Sequence, residues 1–510
     1  MSMKRQKSVI IIGAGLSGMT CGIYLLNNGY RVTILERNTS VGGLCTGWYR
    51  QGRYVDGCIH WLSGSKKDHL CNDIWYDIGG ITSQDDIVYP ESWGDFDYHG
   101  TVVRFLRDYK KAEQEWLAIA PEDTKMIKHF FKMVKSFIEV ELPMDKPMDM
   151  MSLPRLVKTG IDIATHPCFL TSMNIHTDEY AAKFKNPAIR WAIEHAQPGP
   201  GNLFSMVFSY ATIAANSGGV PLGGSKGFVE RIKNRFLSLG GELYLNTDVK
   251  RIITKKYFAS GVELKNGECF YADYIVSSTD PYFTVHNLLE DRYGKNLLKR
   301  YSNTKKFPTI SCFIMSYEIE GLGEEEINTS FLCEPIDMVG RKVKYLNLHS
   351  FNYDRHLYVK DNKTVCQTLV HLFDEDYRHW EEVYQNKALY RETKQRLAND
   401  IVDRLEKQFP QFKGKINVLD VFTPMTLKRY TNAFHGAYMT QFTKMSTRLN
   451  HKGTIRGLSN VFLCNAALQT PGGLPYAAAN GKFAAMRICK LDKVKFSSYG
   501  RKLLKPARNY

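Results

Sequence analysis

Gly13, Gly15 and Gly18 stand in the spacing GxGxxG directly behind the apolar run Val9-Ile10-Ile11-Ile12, and Glu36 follows 21 residues after Gly15. Glycines so spaced suit a pyrophosphate. The first permits a tight turn, the second lets backbone approach the phosphates, and the third lets the next helix pack on the strand. A carboxylate at that distance can accept hydrogen bonds from an adenosine ribose. Together these residues point to a bound dinucleotide, and so to redox chemistry.

Three elements must position them. The run from Val9 to Ile12 has no polar face, as expected of a central parallel strand covered on both sides. A helix over residues 16–28 places Met19, Ile23 and Leu26 on one face, and Gly29 marks its stop. A second buried strand, residues 32–35, delivers Glu36. Strand, glycines, helix, strand and acid occur in that order, which predicts an α/β fold of the Rossmann type.

The next segment, Arg37-Asn-Thr-Ser-Val-Gly42-Gly43-Leu44-Cys45-Thr46, carries a glycine pair that lets backbone amides reach phosphates. It resembles the continuation found in flavoproteins of the amine-oxidase and phytoene-desaturase superfamily. That resemblance implies FAD rather than NAD, with Arg37, Gly42, Gly43 and Leu44 at the cofactor.

Four later segments resemble the carotenoid desaturase and carotenoid isomerase group, which includes phytoene desaturases, prolycopene isomerase and retinol saturase. They are Tyr54-Val-Asp56-Gly57-Cys-Ile-His60-Trp61, Pro221-Leu-Gly-Gly-Ser-Lys-Gly227 with Asp248-Val249 downstream, Ala272-Asp-Tyr-Ile-Val-Ser-Ser-Thr-Asp280-Pro281, and Thr470-Pro-Gly472-Gly473-Leu-Pro475. The resemblance implies that Asp56, Val249, Asp280, Gly472 and Gly473 serve FAD, and that the Asp56 loop lies beside the isoalloxazine. Thr423-Pro424, Tyr430 and Gly436-Ala-Tyr438 resemble a further segment of the same group. One departure stands out: Cys464-Asn465-Ala466-Ala467 replaces the Gly-Asp or Gly-Ala that the group usually carries there.

His60 is the leading candidate for proton transfer, because imidazole donates or accepts a proton near neutral pH; a histidine simply hydrogen-bonded in its loop is the plain alternative. Trp61 would stack on a polyene or fill core. Tyr476 faces either the flavin or a packed neighbour. His435 and Tyr438 fit a cavity wall, surface or core.

Residues 1–89, 221–281 and 450–490 are expected to build the FAD-binding domain, and residues 90–220 and 282–449 an interleaved α+β substrate domain, with a basic tail at 491–510. Residues 204–210 suit a helix wall and residues 307–315 a strand. Eleven scattered cysteines never form CxxC, so neither a disulfide framework nor a metal site is expected, and a reduced cytoplasm fits. No uncharged apolar stretch reaches the roughly 18 residues of a spanning helix. The net charge of +16 favours anionic surfaces. Residues 125–138 set Lys125, Lys128, Lys132 and Lys135 opposite an apolar stripe, which reads either as a helix docked on anionic lipid or as one packed within the substrate domain. Nucleic acid is not expected as a partner.

The reading that joins these features is an FAD-dependent oxidoreductase acting on carbon-carbon double bonds of a long apolar polyene or isoprenoid-like substrate, by desaturation, saturation or redox-neutral isomerisation. A lipid carrier with structural FAD and a flavin amine oxidase are the alternatives.

Overall fold

The computed structural model describes residues 5–140, 143–197, 199 and 201–498. The apolar run forms strand Ser8–Ile12, buried along its whole length. It pairs in parallel with Arg31–Leu35 on one side and Tyr274–Ser277 on the other. Glu242–Tyr244 and Val461–Leu463 extend the sheet to five parallel strands. Distant stretches of chain therefore meet in one layer, which is the expected α/β architecture.

Helix Leu16–Asn27 rises from the first strand, and Gly29 ends it with a φ of 84°. Against it lies the long helix Gly473–Leu491, rich in alanine and buried over most of its length. The two approach so closely that a Cβ on Gly481 would sit 2.3 Å from the Ser17 carbonyl oxygen. Small residues make that contact possible, and it fixes the C-terminal helix over the dinucleotide layer.

A nine-stranded mixed sheet forms the second layer. Its main path runs Ile416–Phe422, Thr309–Glu320, Lys363–Leu372, Lys342–Ser350, Asn328–Asp337, Ser92–Tyr98 and Thr101–Leu106. The expected strand near residues 307–315 is the second of these, and β-branched and aromatic residues keep it buried for eleven of its twelve positions. The expected helix wall is Leu203–Ala214. It packs in an aromatic core in which Phe130 stacks on Trp116 at 5.2 Å and Tyr210 meets Phe105 edge-on at 5.2 Å.

The basic helix forms over Thr124–Ile138, but its apolar stripe is not available to lipid. Ile127, Phe130, Phe131, Val134 and Phe137 are buried in that aromatic core. Packing within the protein is the outcome, because neighbouring rings cover these five side chains, while Ile138 at the helix end is partly buried. Lys125, Lys128, Lys132 and Lys135 remain exposed. Most of the expected basic tail lies outside the described residues; Lys490, Lys493 and Lys495, which are described, are exposed. Among the described residues, no helix is long and apolar enough to cross a membrane.

Candidate flavin and substrate site

A cavity of about 650 Å³ opens beyond the C-terminal end of strand Ser8–Ile12 and continues under the nine-stranded sheet. Gly13, Gly15, Glu36, Arg37, Gly42, Gly43 and Leu44 line its first part, with Val249, Asp280, Gly472 and Gly473 around them. His60, Trp61 and Tyr476 line its continuation. Two expected site residues stand back from the wall. Gly18 lies beneath the turn, where a Cβ would fall 2.2 Å from the Gly13 carbonyl oxygen. Asp56 is almost fully buried, and its carboxylate is turned into the protein.

The cradle fits a dinucleotide. Helix Leu16–Asn27 begins at Gly15 and helix Gly473–Leu491 at Gly472, both without a side-chain cap. Their first amides are thus left for an anionic ligand, favoured there by the helix dipoles. The Ser278 hydroxyl beside Gly15 and the Thr440 hydroxyl beside Gly472 are buried without a hydrogen-bond partner, as polar atoms facing an absent ligand would be. Glu36 is held in place: one carboxylate oxygen accepts from the Ala14 amide at 2.8 Å, the other from the amide and side chain of Asn38, each at 2.8 Å.

Other cavity residues act on the protein itself. Asp280 accepts from the amides of Tyr282 and Phe434, at 2.8 and 3.1 Å, and burial pushes its carboxyl above the usual range. It ties a loop of the first layer to one of the second. Arg37 donates to Asn432 at 2.8 Å and to the Arg429 carbonyl, a similar tie. The Asn465 departure has a structural role: its amide donates to the carbonyls of Ser278 and Thr279 at 3.1 and 3.3 Å, and its oxygen accepts from Ala467 at 2.9 Å. An alanine or glycine there would leave those carbonyls unbridged.

His60 places Nδ1 3.1 Å from the Cys58 carbonyl oxygen, and burial pushes its pKa below the ordinary value. Its ring centre lies 5.6 Å from that of His349. His371 also lines the cavity, with Nδ1 2.9 Å from the Tyr438 hydroxyl. Burial holds both His349 and His371 down to about 3, so all three rings are neutral near pH 7. Trp61 meets Trp93 edge-on at 6.2 Å, and Phe137, Phe208 and Phe422 extend this aromatic wall. His435 is turned away from the cavity: it bonds Asp374 at 2.8 Å and stacks on Tyr377.

The histidines His349 and His371 escaped sequence reading. Each sits near the end of a strand, Lys342–Ser350 and Lys363–Leu372, in a segment without a motif. Only sheet pairing brings them to the His60 loop.

Comparison with known proteins settles the family: the flavin containing amine oxidoreductase pattern matches residues 16–489. The chain belongs to that family. It is 24% identical over 508 residues to the phytoene desaturase (lycopene-forming) of a Paracoccus strain, covering 94% of this chain and 96% of that protein. It is also 24% identical to prolycopene isomerase 2 of an Oncidium hybrid cultivar, covering 84% of this chain and 74% of that one. Among solved structures, an oxidoreductase of Methanosarcina mazei superposes with a TM-score of 0.59 at 13% identity, over 94% of this chain and all of that one, which shows the shared fold. The protein is an FAD-dependent oxidoreductase. Bound FAD supplies the hydride and electron transfer, while the chain orients the reacting groups and excludes water.

Proposed function

We propose that the protein acts on carbon-carbon double bonds of a long, apolar, unsaturated substrate of the polyene or isoprenoid class. The observation that carries this reading is the continuity of the cavity: the dinucleotide cradle opens directly into the aromatic wall of Trp61, Trp93, Phe137, Phe208 and Phe422. Apolar and aromatic surface of this kind favours a hydrocarbon body over a charged amine. The relatives named as phytoene desaturase and prolycopene isomerase support it. His60 lines the same cavity, and a neutral imidazole there can hold or pass a proton. The test is the mass of the product from defined polyenes: two units down for desaturation, two up for saturation, unchanged for isomerisation. No conversion across a panel of isoprenoid polyenes by the FAD-loaded protein overturns the reading.

The second part of the proposal is docking on an anionic membrane, through a surface other than the lysine helix. Helix Leu153–Ala164 has no buried residue. Leu153, Val157 and Ile161 repeat every fourth position and are 74%, 54% and 57% exposed. Arg155 and Lys158 flank them, and Asp162 is the helix's single acid. The chain preceding the helix contributes Phe137, Ile138, Val140 and Met144 to the cavity wall. An apolar ridge with flanking cations suits the interface of an anionic bilayer, where an apolar substrate is dissolved. Vesicle flotation on anionic and neutral lipid, at low and high salt, tests this. Failure to float with anionic vesicles at low salt overturns it.

A further inference from the structure

We propose that Cys45 and Cys58 are a redox-active dithiol of the flavin site, through which a small dithiol delivers two electrons to the bound FAD. The hairpin of strands Gly47–Arg50 and Arg53–Asp56 supplies the geometry. Its strands pair antiparallel, Arg50 with Arg53 and Gly47 with Asp56, and the Gly57 amide donates to the Thr46 carbonyl at 2.9 Å, which carries the pairing one step past the strands. The next pair in that register is Cys45 with Cys58. Hydrogen-bonded and non-bonded pairs alternate along an antiparallel ladder, so this one is non-bonded, the kind whose Cα atoms lie about 4.5 Å apart with both side chains on one face. A disulfide needs roughly 4.4–6.8 Å.

The side chains meet as the register requires. The Cys58 thiol is a hydrogen-bonding neighbour of the Cys45 thiol, and the Ser225 hydroxyl is a second. Both cysteines are free thiols, and both line the cavity that contains the dinucleotide cradle. Cys45 follows Gly42, Gly43 and Leu44 directly in the chain and Cys58 follows Gly57, so each thiol is set by a segment of the cavity wall. Cys312, on the same wall, is placed opposite His371 by its own strand pairing and not opposite a cysteine. Cys45 is 1% exposed, whereas Cys58 is only partly buried. The Cys58 thiol beside it and burial push the Cys45 thiol well above its usual range, so Cys45 stays protonated and Cys58 is the sulfur that an incoming thiolate meets.

The step balances with no further reagent. Two S–H bonds break and one S–S bond forms between Cys45 and Cys58, and the two electrons and two protons pass to FAD, giving FADH2. A small dithiol then restores the pair. One of its thiolates attacks the Cys58 sulfur, the S–S bond breaks and Cys45 leaves, taking up a proton; the second thiol of the reagent displaces Cys58 as the reagent closes to its own disulfide. The net reaction oxidises the dithiol and reduces FAD. It rests on FAD binding alone and not on the double-bond substrate, and it names a source for the electrons that saturation of a double bond consumes.

The FAD-loaded protein is mixed with dithiothreitol under argon, and the loss of its yellow absorbance is followed. The parent flavin is expected to bleach at least about tenfold faster than that of Cys45→Ser or Cys58→Ser. Cys269→Ser, which changes an exposed cysteine outside the cavity wall, keeps the parent rate. Peptide mapping gives a second readout: in parent protein left in air, where oxygen reoxidises the flavin, and then alkylated, Cys45 and Cys58 are joined and two hydrogen masses lighter than the separate thiols. Should a serine variant fail to hold flavin, the map of the parent decides. Equal bleaching of parent and serine variants overturns the proposal, as does a map in which both cysteines are alkylated or Cys58 is joined to Cys312; the double-bond reading stands in each case.

Discussion

The carboxylate of Asp56 accepts two hydrogen bonds from Ser225, from its amide at 2.7 Å and from its hydroxyl at 2.6 Å. The same carboxylate takes the Cys58 amide at 2.9 Å and the hydroxyls of Tyr54 and Tyr358 at 3.2 and 3.1 Å. The Ser225 hydroxyl in turn accepts from the Ile59 amide at 2.8 Å. Asp56 thus shapes the loop that carries His60.

Asp56→Ala should therefore lower stability by about 3 kcal/mol or more, since it strands several buried donors at once. Asp56→Asn should recover part of that loss. Urea unfolding of the FAD-loaded variants measures both; an alanine variant as stable as the parent would show that the network is replaced by water.

Gly15 and Gly18 should fail differently. A Cβ at Gly15 meets nothing closer than 3.7 Å, so the protein folds, whereas the side chain of Gly15→Val projects into the phosphate cradle. That variant is expected to be folded and colourless. Gly18→Ala drives a methyl to 2.2 Å from backbone oxygen and should express poorly or unfold. Circular dichroism and flavin absorbance separate the two outcomes; a yellow Gly15→Val protein would displace the assigned cradle.

Replacing Leu153, Val157 and Ile161 together by aspartate should leave the melting temperature of the exposed helix's parent fold within a few degrees, because none of the three is buried. Flotation with anionic vesicles should fall at least about tenfold, since the change removes apolar contact and adds repulsion. Replacing the four lysines of helix Thr124–Ile138 should change flotation far less, since the docking surface is the other helix.

Acid should destabilise the protein through its neutral histidines. His349 and His371 are held near 3 when folded, against 6.5 ordinarily, so below about pH 6.5 the unfolded chain takes up protons that the native state refuses. Stability is then lost as pH falls from 6.5 towards 3, at up to about 1.4 kcal/mol per unit for each ring. His349→Phe should show a shallower slope in urea unfolding between pH 7 and 5. An unchanged slope would mean that His349 titrates normally.

The dinucleotide layer was legible because its geometry is local: a run of β-branched residues, three glycines and an acid are consecutive in the chain, and the structure returns them as strand Ser8–Ile12, helix Leu16–Asn27 and strand Arg31–Leu35. His349 and His371 were not, since their shared wall depends on the register that sets His349 opposite Gln367 on the neighbouring strand. The two amphipathic helices show the same limit. Thr124–Ile138 and Leu153–Ala164 both carry apolar stripes at helical spacing, and only the aromatic core around Trp116 and Phe130 decides which stripe is covered.

The dinucleotide cradle and the aromatic wall belong to one void, walled by both layers of the fold. A prosthetic group that fills that void draws the folding equilibrium towards the native state, by about 2.7 kcal/mol at a hundredfold excess over the dissociation constant. Riboflavin supply would then govern how much of this chain a cell retains, with the unfilled fraction passing to proteases instead of waiting as an idle reserve.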